Sequence, residues 1–251
     1  MAKLKVKIND AFWSKYDALV RDVVIPYQRD VLNDNVADAE PSSAIRNFRI
    51  AAGEEVGEYY GMVFQDSDVA KWLEAVAYSL ENHPNPELEK EADEIIDLIG
   101  RAQQPDGYLN TYFIINGLDK RWTNLHECHE LYCAGHMIEA AVAYYEATGK
   151  RKLLDIVCKF ADHMDSVFGP EEGKIKGYPG HQEIELALVK LYSVTGNKRY
   201  LNLAKYFLDE RGKKPYFFDI EWEKRGKKEF WPGHRSRGPE YEQSHLPVRE
   251  Q

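Results

Sequence analysis

Shifted by 47 residues, the chain overlays on itself. Val142 falls on Val189, Tyr145 on Tyr192, Thr148-Gly149 on Thr195-Gly196, Leu154 on Leu201, Phe160 on Phe207 and Asp162 on Asp209. Each copy reads as an apolar helix, a Thr-Gly turn and an amphipathic helix. Val69–Arg101 follows the same plan, with Pro84-Asn85-Pro86 as its turn. An apolar helix must be covered on both sides, whereas an amphipathic one covers a neighbour and faces water. Hairpins of this kind stack side by side, into a solenoid or a closed α/α toroid. The long loops always precede the apolar helix. They therefore gather at one end of the assembly, where a site is built.

The chain in order supports an all-α reading. Asp10 caps a helix with an apolar face of Phe12, Trp13, Tyr16, Leu19, Val20 and Val23, and Pro26 breaks or kinks it. Ala44–Gly53 is a short helical piece. Helices are expected at Val69–Asn82, Glu87–Arg101, Asn124–Lys150, Lys152–Phe168, His181–Thr195 and Tyr200–Arg211. Gln103–Tyr108 is a turn, because Pro105 presets φ and Gly107 admits positive φ. Gly212–Ser244 reads as a long loop, and His245–Gln251 opens another helix with Pro247 in its first turn.

With 251 residues and 43% hydrophobic content, the chain can bury a sizeable core. A net charge of −9 supplies no basic stripe to neutralise phosphates, so a nucleic-acid partner is not expected. The Lys224–Lys228 run, KRGKK, reads as a solvated loop. No apolar run approaches the ~18 residues of a membrane span, and no partner membrane is expected. Three cysteines without scaffold spacing favour a reduced, cytoplasmic setting.

The candidate chemistry sits on the apolar helices. His126, His129, Cys133 and His136 share an arc of about 80° on the expected 124–150 helix. They cannot hold one ion together, because His126 and His136 would stand ~15 Å apart along the axis. His129 and His181 are the better pair, since each opens an apolar helix at the loop-bearing end. Neutral imidazole both donates and accepts, which suits sugar hydroxyls. His245 opens a third such helix. Cys133 and His136, deeper on the stripe, read as packing residues. Asp66 and Asp68 with Glu183 and Glu185 invite a paired-carboxylate reading, the equipment of glycoside hydrolysis. Helix capping accounts for either aspartate as well.

Several motifs taken together resemble the β-L-arabinofuranosidase family, glycoside hydrolase family 127. They are V-I-P-Y-Q (Val24–Gln28), G-M-V-F-Q-D-S-D-V (Gly61–Val69) with Trp72-Leu73-Glu74, A-Q-Q-P-D-G-Y-L (Ala102–Leu109) and H-E-L-Y-C-A-G-H (His129–His136). F-G-P-E-E-G-K-I (Phe168–Ile175), G-H-Q-E-I-E-L-A-L (Gly180–Leu188) and P-V-R-E-Q (Pro247–Gln251) complete the set. The resemblance implies an (α/α)6 barrel followed by β-sandwich domains. It implies a retaining hydrolase with a glutamate acid/base and a cysteine nucleophile on a zinc ion held by one Glu and three Cys. It also implies that His129 and His181 contact an arabinofuranose ring.

In that family the zinc ligands, the nucleophile, the acid/base and a third substrate histidine all follow P-V-R-E-Q. Residues 1–251 are therefore expected to form the N-terminal portion of the barrel, an incomplete toroid without the sandwich domains. The chain alone is expected to bind no zinc of the family type and to lack catalysis. Zinc-dependent turnover of an aryl arabinofuranoside by these residues alone would refute that. Substrate contacts are expected from His129, His181, Asp66, Asp68 and His245, with a carbohydrate as the ligand. The open barrel face is expected to drive self-association. Two other readings are a non-catalytic carbohydrate-binding or scaffold module, and another (α/α)6 sugar hydrolase that relies on Asp66 or Asp68.

Overall fold

The computed structural model describes residues 9–230. The chain begins with α1 (Trp13–Leu19), a π-helical turn (Val20–Val24) and α2 (Ile25–Leu32). Asp10 caps this start as expected, accepting from the Phe12 and Trp13 amides at 2.9 and 2.8 Å. Pro26 does not break the helix. It has no N–H to give the preceding turn, and the chain continues through the wider π turn ahead of it. There follow α3 (Ala44–Ala51), α4 (Asp66–Asn82), α5 (Pro86–Ala102), α6 (Thr111–Asn116) and α7 (Glu130–Thr148). Then come α8 (Lys152–Val167), α9 (Ile184–Thr195), α10 (Lys198–Glu210) and α11 (Phe217–Lys224). The described residues form no strand; one isolated bridge joins Phe168 to Ile175.

Two rows of helices result. α4, α7 and α9 stand side by side as an inner row, and α5, α8 and α10 lie outside them as the returning halves of the hairpins. α7 is sandwiched between α4 and α9 and is buried along most of its length. Its core side chains, among them Leu131, Met137, Ile138 and Tyr144, are at most 3% exposed. Burial of this kind contributes about 1.5–3 kcal/mol for each large apolar side chain.

The repeat holds at atomic detail. Thr148 donates its hydroxyl to the Tyr144 carbonyl and Thr195 to that of Leu191, each at 2.7 Å. Each hydroxyl also accepts the amide two residues on, from Lys150 and Asn197. Gly149 and Gly196 take φ of 75° and 70°, the left-handed helix cap for which glycine has no steric cost.

Several boundaries differ from the sequence reading: α9, expected from His181, starts only at Ile184, so His181 lies in the loop before it. α4 begins at Asp66 rather than Val69, because Asp66 is tied to a distant segment instead of capping. The segment expected as one helix from Asn124 starts only at Glu130; Asn124–His129 is a bound turn. Within the expected loop 212–244, Phe217–Lys224 is helical, its Phe218 and Glu221 buried against that turn. The remainder of that loop, from 231, and the expected helix at 245 lie outside the described residues.

Apolar side chains remain exposed at both ends of the array. Phe12, Trp13, Leu19, Val20 and Val23 near the first helices are each at least 45% exposed. On α9, which ends the inner row, Leu186 is 56% and Val189 41% exposed.

Candidate functional site

The turn before α7 and the loop before α9 interlock, and their histidines meet there. Asn124 accepts the Glu127 amide at 3.1 Å and donates its own amide to the Glu127 carboxylate at 3.0 Å, closing a local turn. Glu221 of α11 accepts the Leu125 and His126 amides at 2.6 and 3.3 Å. Arg225 donates to Glu127 at 2.8 Å, so the expected solvated basic run supplies a latch. On the other side, the Gly180 amide donates to the Leu125 carbonyl at 3.2 Å, and Arg211 donates to the Pro179 carbonyl at 2.5 Å. A Cβ on Gly180 would stand 2.3 Å from the His126 carbonyl oxygen, so only glycine lets the two segments close this far.

His129 results from this bracing. It is the residue before α7, held at φ +57° in the left-handed region. Histidine visits that region more readily than most residues, but the conformation still depends on its surroundings. Its Nδ1 lies 2.5 Å from the Glu127 carbonyl oxygen and must carry the proton there, which makes Nε2 the acceptor nitrogen. The His181 ring lies 4.7 Å from the His129 ring, centroid to centroid. Phe64 packs on His129 at 5.1 Å, and Tyr132 touches His129 at 5.6 Å and His181 at 5.7 Å. Lys71 of α4 donates to the Tyr132 hydroxyl at 2.9 Å. Half-buried rings with an acceptor nitrogen, an exposed imidazole and a nearby ammonium make a surface suited to several hydroxyl groups at once.

Not every expected site residue joins this group. Asp66 accepts the Thr111 amide at 2.8 Å and the Thr111 hydroxyl through its other oxygen, so it fastens α6 to α4. Burial raises it to about 6, against those two hydrogen bonds. Asp68, half-buried on the first turn of α4, accepts from Gln65 at 3.1 Å and lies one helical turn from Lys71. Glu185 is buried near Arg211, 3.9 Å away. His245 lies outside the described residues.

His136, deeper on the same stripe, packs against a ring and also meets a carboxylate. It stacks on Tyr132 at 4.5 Å, and its Nδ1 is 3.4 Å from Glu183 Oε1. Burial and the neighbouring Lys71 charge pull it down to about 4. Glu183, the residue before α9, hydrogen-bonds Glu139 of α7, which also takes the Lys190 ammonium. Burial first, and then that neighbouring carboxylate, push Glu183 up to about 8. Glu139 stays below its ordinary range: burial opposes this, but Glu183 and Lys190 both hydrogen-bond its charged form.

Residues 5–251 match the β-L-arabinofuranosidase, GH127 catalytic domain. The chain belongs to this family. The non-reducing end β-L-arabinofuranosidase of Bifidobacterium longum subsp. longum is 48% identical over 231 residues, 86% of this chain and 35% of that protein. The crystal structure of a GH127 β-L-arabinofuranosidase from Geobacillus stearothermophilus T6 superposes with a TM-score of 0.92 at 64% identity, over 99% of this chain and 39% of that one. Another GH127 β-arabinofuranosidase structure gives 0.80 at 37% identity, over 98% of this chain and 36% of that one. The chain thus spans between a third and two fifths of the length of these GH127 relatives.

A GH127 zinc on three thiolates and a carboxylate does not fit the residues described. Cys128, Cys133 and Cys158 are free thiols, all pushed upward by burial, the opposite of a metal-binding or nucleophilic thiolate. Among the described residues no cysteine belongs to a cluster of metal donors; the one such group is Glu74, His136 and Glu139.

Proposed function

We propose that this segment forms one wall of the sugar pocket of a β-L-arabinofuranosidase. His129 and His181 hydrogen-bond hydroxyls of the terminal arabinofuranosyl residue. The observation that carries the reading is the imidazole pair, 4.7 Å apart at the loop-bearing end of two neighbouring inner helices. In this reading His129 accepts a sugar hydroxyl at Nε2, because Glu127 holds the proton at Nδ1. Tyr132 and Phe64 supply apolar flanks for the ring's C–H faces. Bond cleavage itself needs an acid/base carboxyl and a nucleophile beyond these residues.

In the full-length enzyme containing this segment, His129→Ala and His181→Ala are each expected to lower kcat/KM on an aryl β-L-arabinofuranoside by about 100-fold, the scale of one preorganised hydrogen-bonding group. Unchanged kcat/KM in both variants would overturn the reading and favour the scaffold alternative. The three free thiols are consistent with a reduced compartment such as the cytoplasm. No helix of the described residues is long and apolar enough to cross a membrane.

The exposed apolar side chains of the first helices and of α9 lead us to propose that the isolated 251-residue chain self-associates. Sedimentation at rising concentration should show dimers or larger species, with Leu186→Glu and Trp13→Glu reducing them. A monomer over the whole range would refute it.

A further inference from the structure

We infer that Glu74, His136, Glu139 and Glu183 form a binding site for a divalent metal ion of the zinc type, separate from the cysteine-bound zinc of the family. The donors come from three inner elements: Glu74 from α4, His136 and Glu139 from α7, and Glu183 from the residue before α9. One ligand atom from each of Glu74, His136 and Glu139 lies within 4.8 Å of the others. His136 Nδ1 and Glu183 Oε1 are both removed from solvent, and neither has a hydrogen-bond partner among the described residues. They stand 3.4 Å apart.

That separation has a specific meaning. Zinc bonds to imidazole nitrogen and carboxylate oxygen are about 2.1 Å long, and two such bonds at the tetrahedral angle place their ligand atoms about 3.4 Å apart. Two buried polar atoms left without partners at this spacing carry a desolvation cost that an ion between them removes. One imidazole with carboxylates is a donor set for a borderline divalent ion rather than for calcium or magnesium, which take oxygen alone.

The surroundings match what outer contacts do at metal sites. Tyr78 donates to the Glu74 carboxylate at 2.7 Å, and Lys190 takes one oxygen of Glu139. Glu183 hydrogen-bonds Glu139, which two carboxyl groups do only with a proton between them, and a bound cation would displace that proton. Glu183 comes this close because Gly135 faces it: a Cβ there would stand 2.6 Å from Glu183 Cγ. An ion at this point ties α4, α7 and the start of α9 together beneath Tyr132, the ring on which His129 and His181 rest.

The test uses the 251-residue chain, stripped with a chelator and titrated with cobalt(II), then competed with zinc(II). One equivalent of cobalt should bind with the visible absorption of a four- or five-coordinate nitrogen–oxygen site and without a sulfur charge-transfer band. His136→Ala and Glu74→Gln should each weaken binding at least ~10-fold, the least that even an outer contact of a metal site is worth. Circular dichroism identifies variants that remain helical; Glu183→Gln, which keeps the hydrogen bond to Glu139, is the second variant if either of these unfolds. No binding at millimolar cobalt, a sulfur band, or equal affinity in folded variants would each overturn the assignment. The readout does not depend on glycosidase activity, so it fails or succeeds apart from the sugar-pocket reading.

Discussion

Replacing Glu221 by alanine is expected to lower the melting temperature by roughly 10 °C and to disorder the turn that carries His129. Glu221 is 4% exposed, and its two oxygens accept the Leu125 and His126 amides. Alanine would remove the carboxylate acceptor from both amides, at about 1–3 kcal/mol each, with the buried Leu125 amide losing most. Arg225, which approaches both Glu221 and Glu127, would lose part of the negative charge around it. The Gln variant keeps one acceptor and should lose about half as much. Thermal unfolding gives the stability term, and the chemical shifts of the His129 ring report the turn. A variant melting within about 1 °C of the parent would show that α11 does not brace this turn.

This latch was the least legible part of the sequence. Phe217–Lys224 sits in a stretch dense in Lys, Gly and aromatics, and its helix is only 8 residues long. Its stability comes from Phe218 and Glu221 docking on a segment about 95 residues earlier in the chain, and periodicity carries no record of such a contact. The same physics hid the turn before α7. Asn124–His129 has helical spacing of its polar residues, but α11 and the Gly180 loop capture its amides and carbonyls in another form. A motif of Asn followed three residues later by Glu, as in Asn124 and Glu127, was the available signal for a local turn.

The hairpins were legible because their information is local. Apolar and amphipathic helices alternate around Thr-Gly and Asn-Pro turns, and each cap is written in the residues that make it. Asn85 accepts the Glu87 and Leu88 amides, and Asn197 accepts that of Arg199. That His129 and His181 lie side by side was legible for the same reason, since both precede apolar inner helices at the loop-bearing end. For Asp66 and His136 the spacing gives the face but not what the face meets. Asp66 meets Thr111, and His136 meets a carboxylate pair.

Stability is expected to fall as pH rises from 6 to 8. Outside the Glu139–Glu183 pair, three carboxyl groups inside the fold hold their protons far above the ordinary carboxylate range: Asp66 to about 6, Glu221 to about 7 and Glu130 to about 8. Burial is the first cause in each, and the donors that oppose it, such as Tyr108 and the Trp122 amide on Glu130, do not fully offset it. In the unfolded chain these groups ionise near 4. Between that pH and the folded value the native state binds more protons than the unfolded state, so the unfolding free energy drops with rising pH. The slope is about 1.4 kcal/mol per pH unit for each group still protonated in the fold, and Glu130 sets the upper end of the window. Below pH ~4 the contribution is fully present, since both states are then protonated. Glu130→Gln removes the titration while keeping one hydrogen-bond acceptor, so its unfolding curves in urea should vary less with pH between 6 and 8 than those of the parent. A parent stability that is flat or rising over that interval would mean that the hydrogen bonds to Glu130 and Glu221 outweigh their burial.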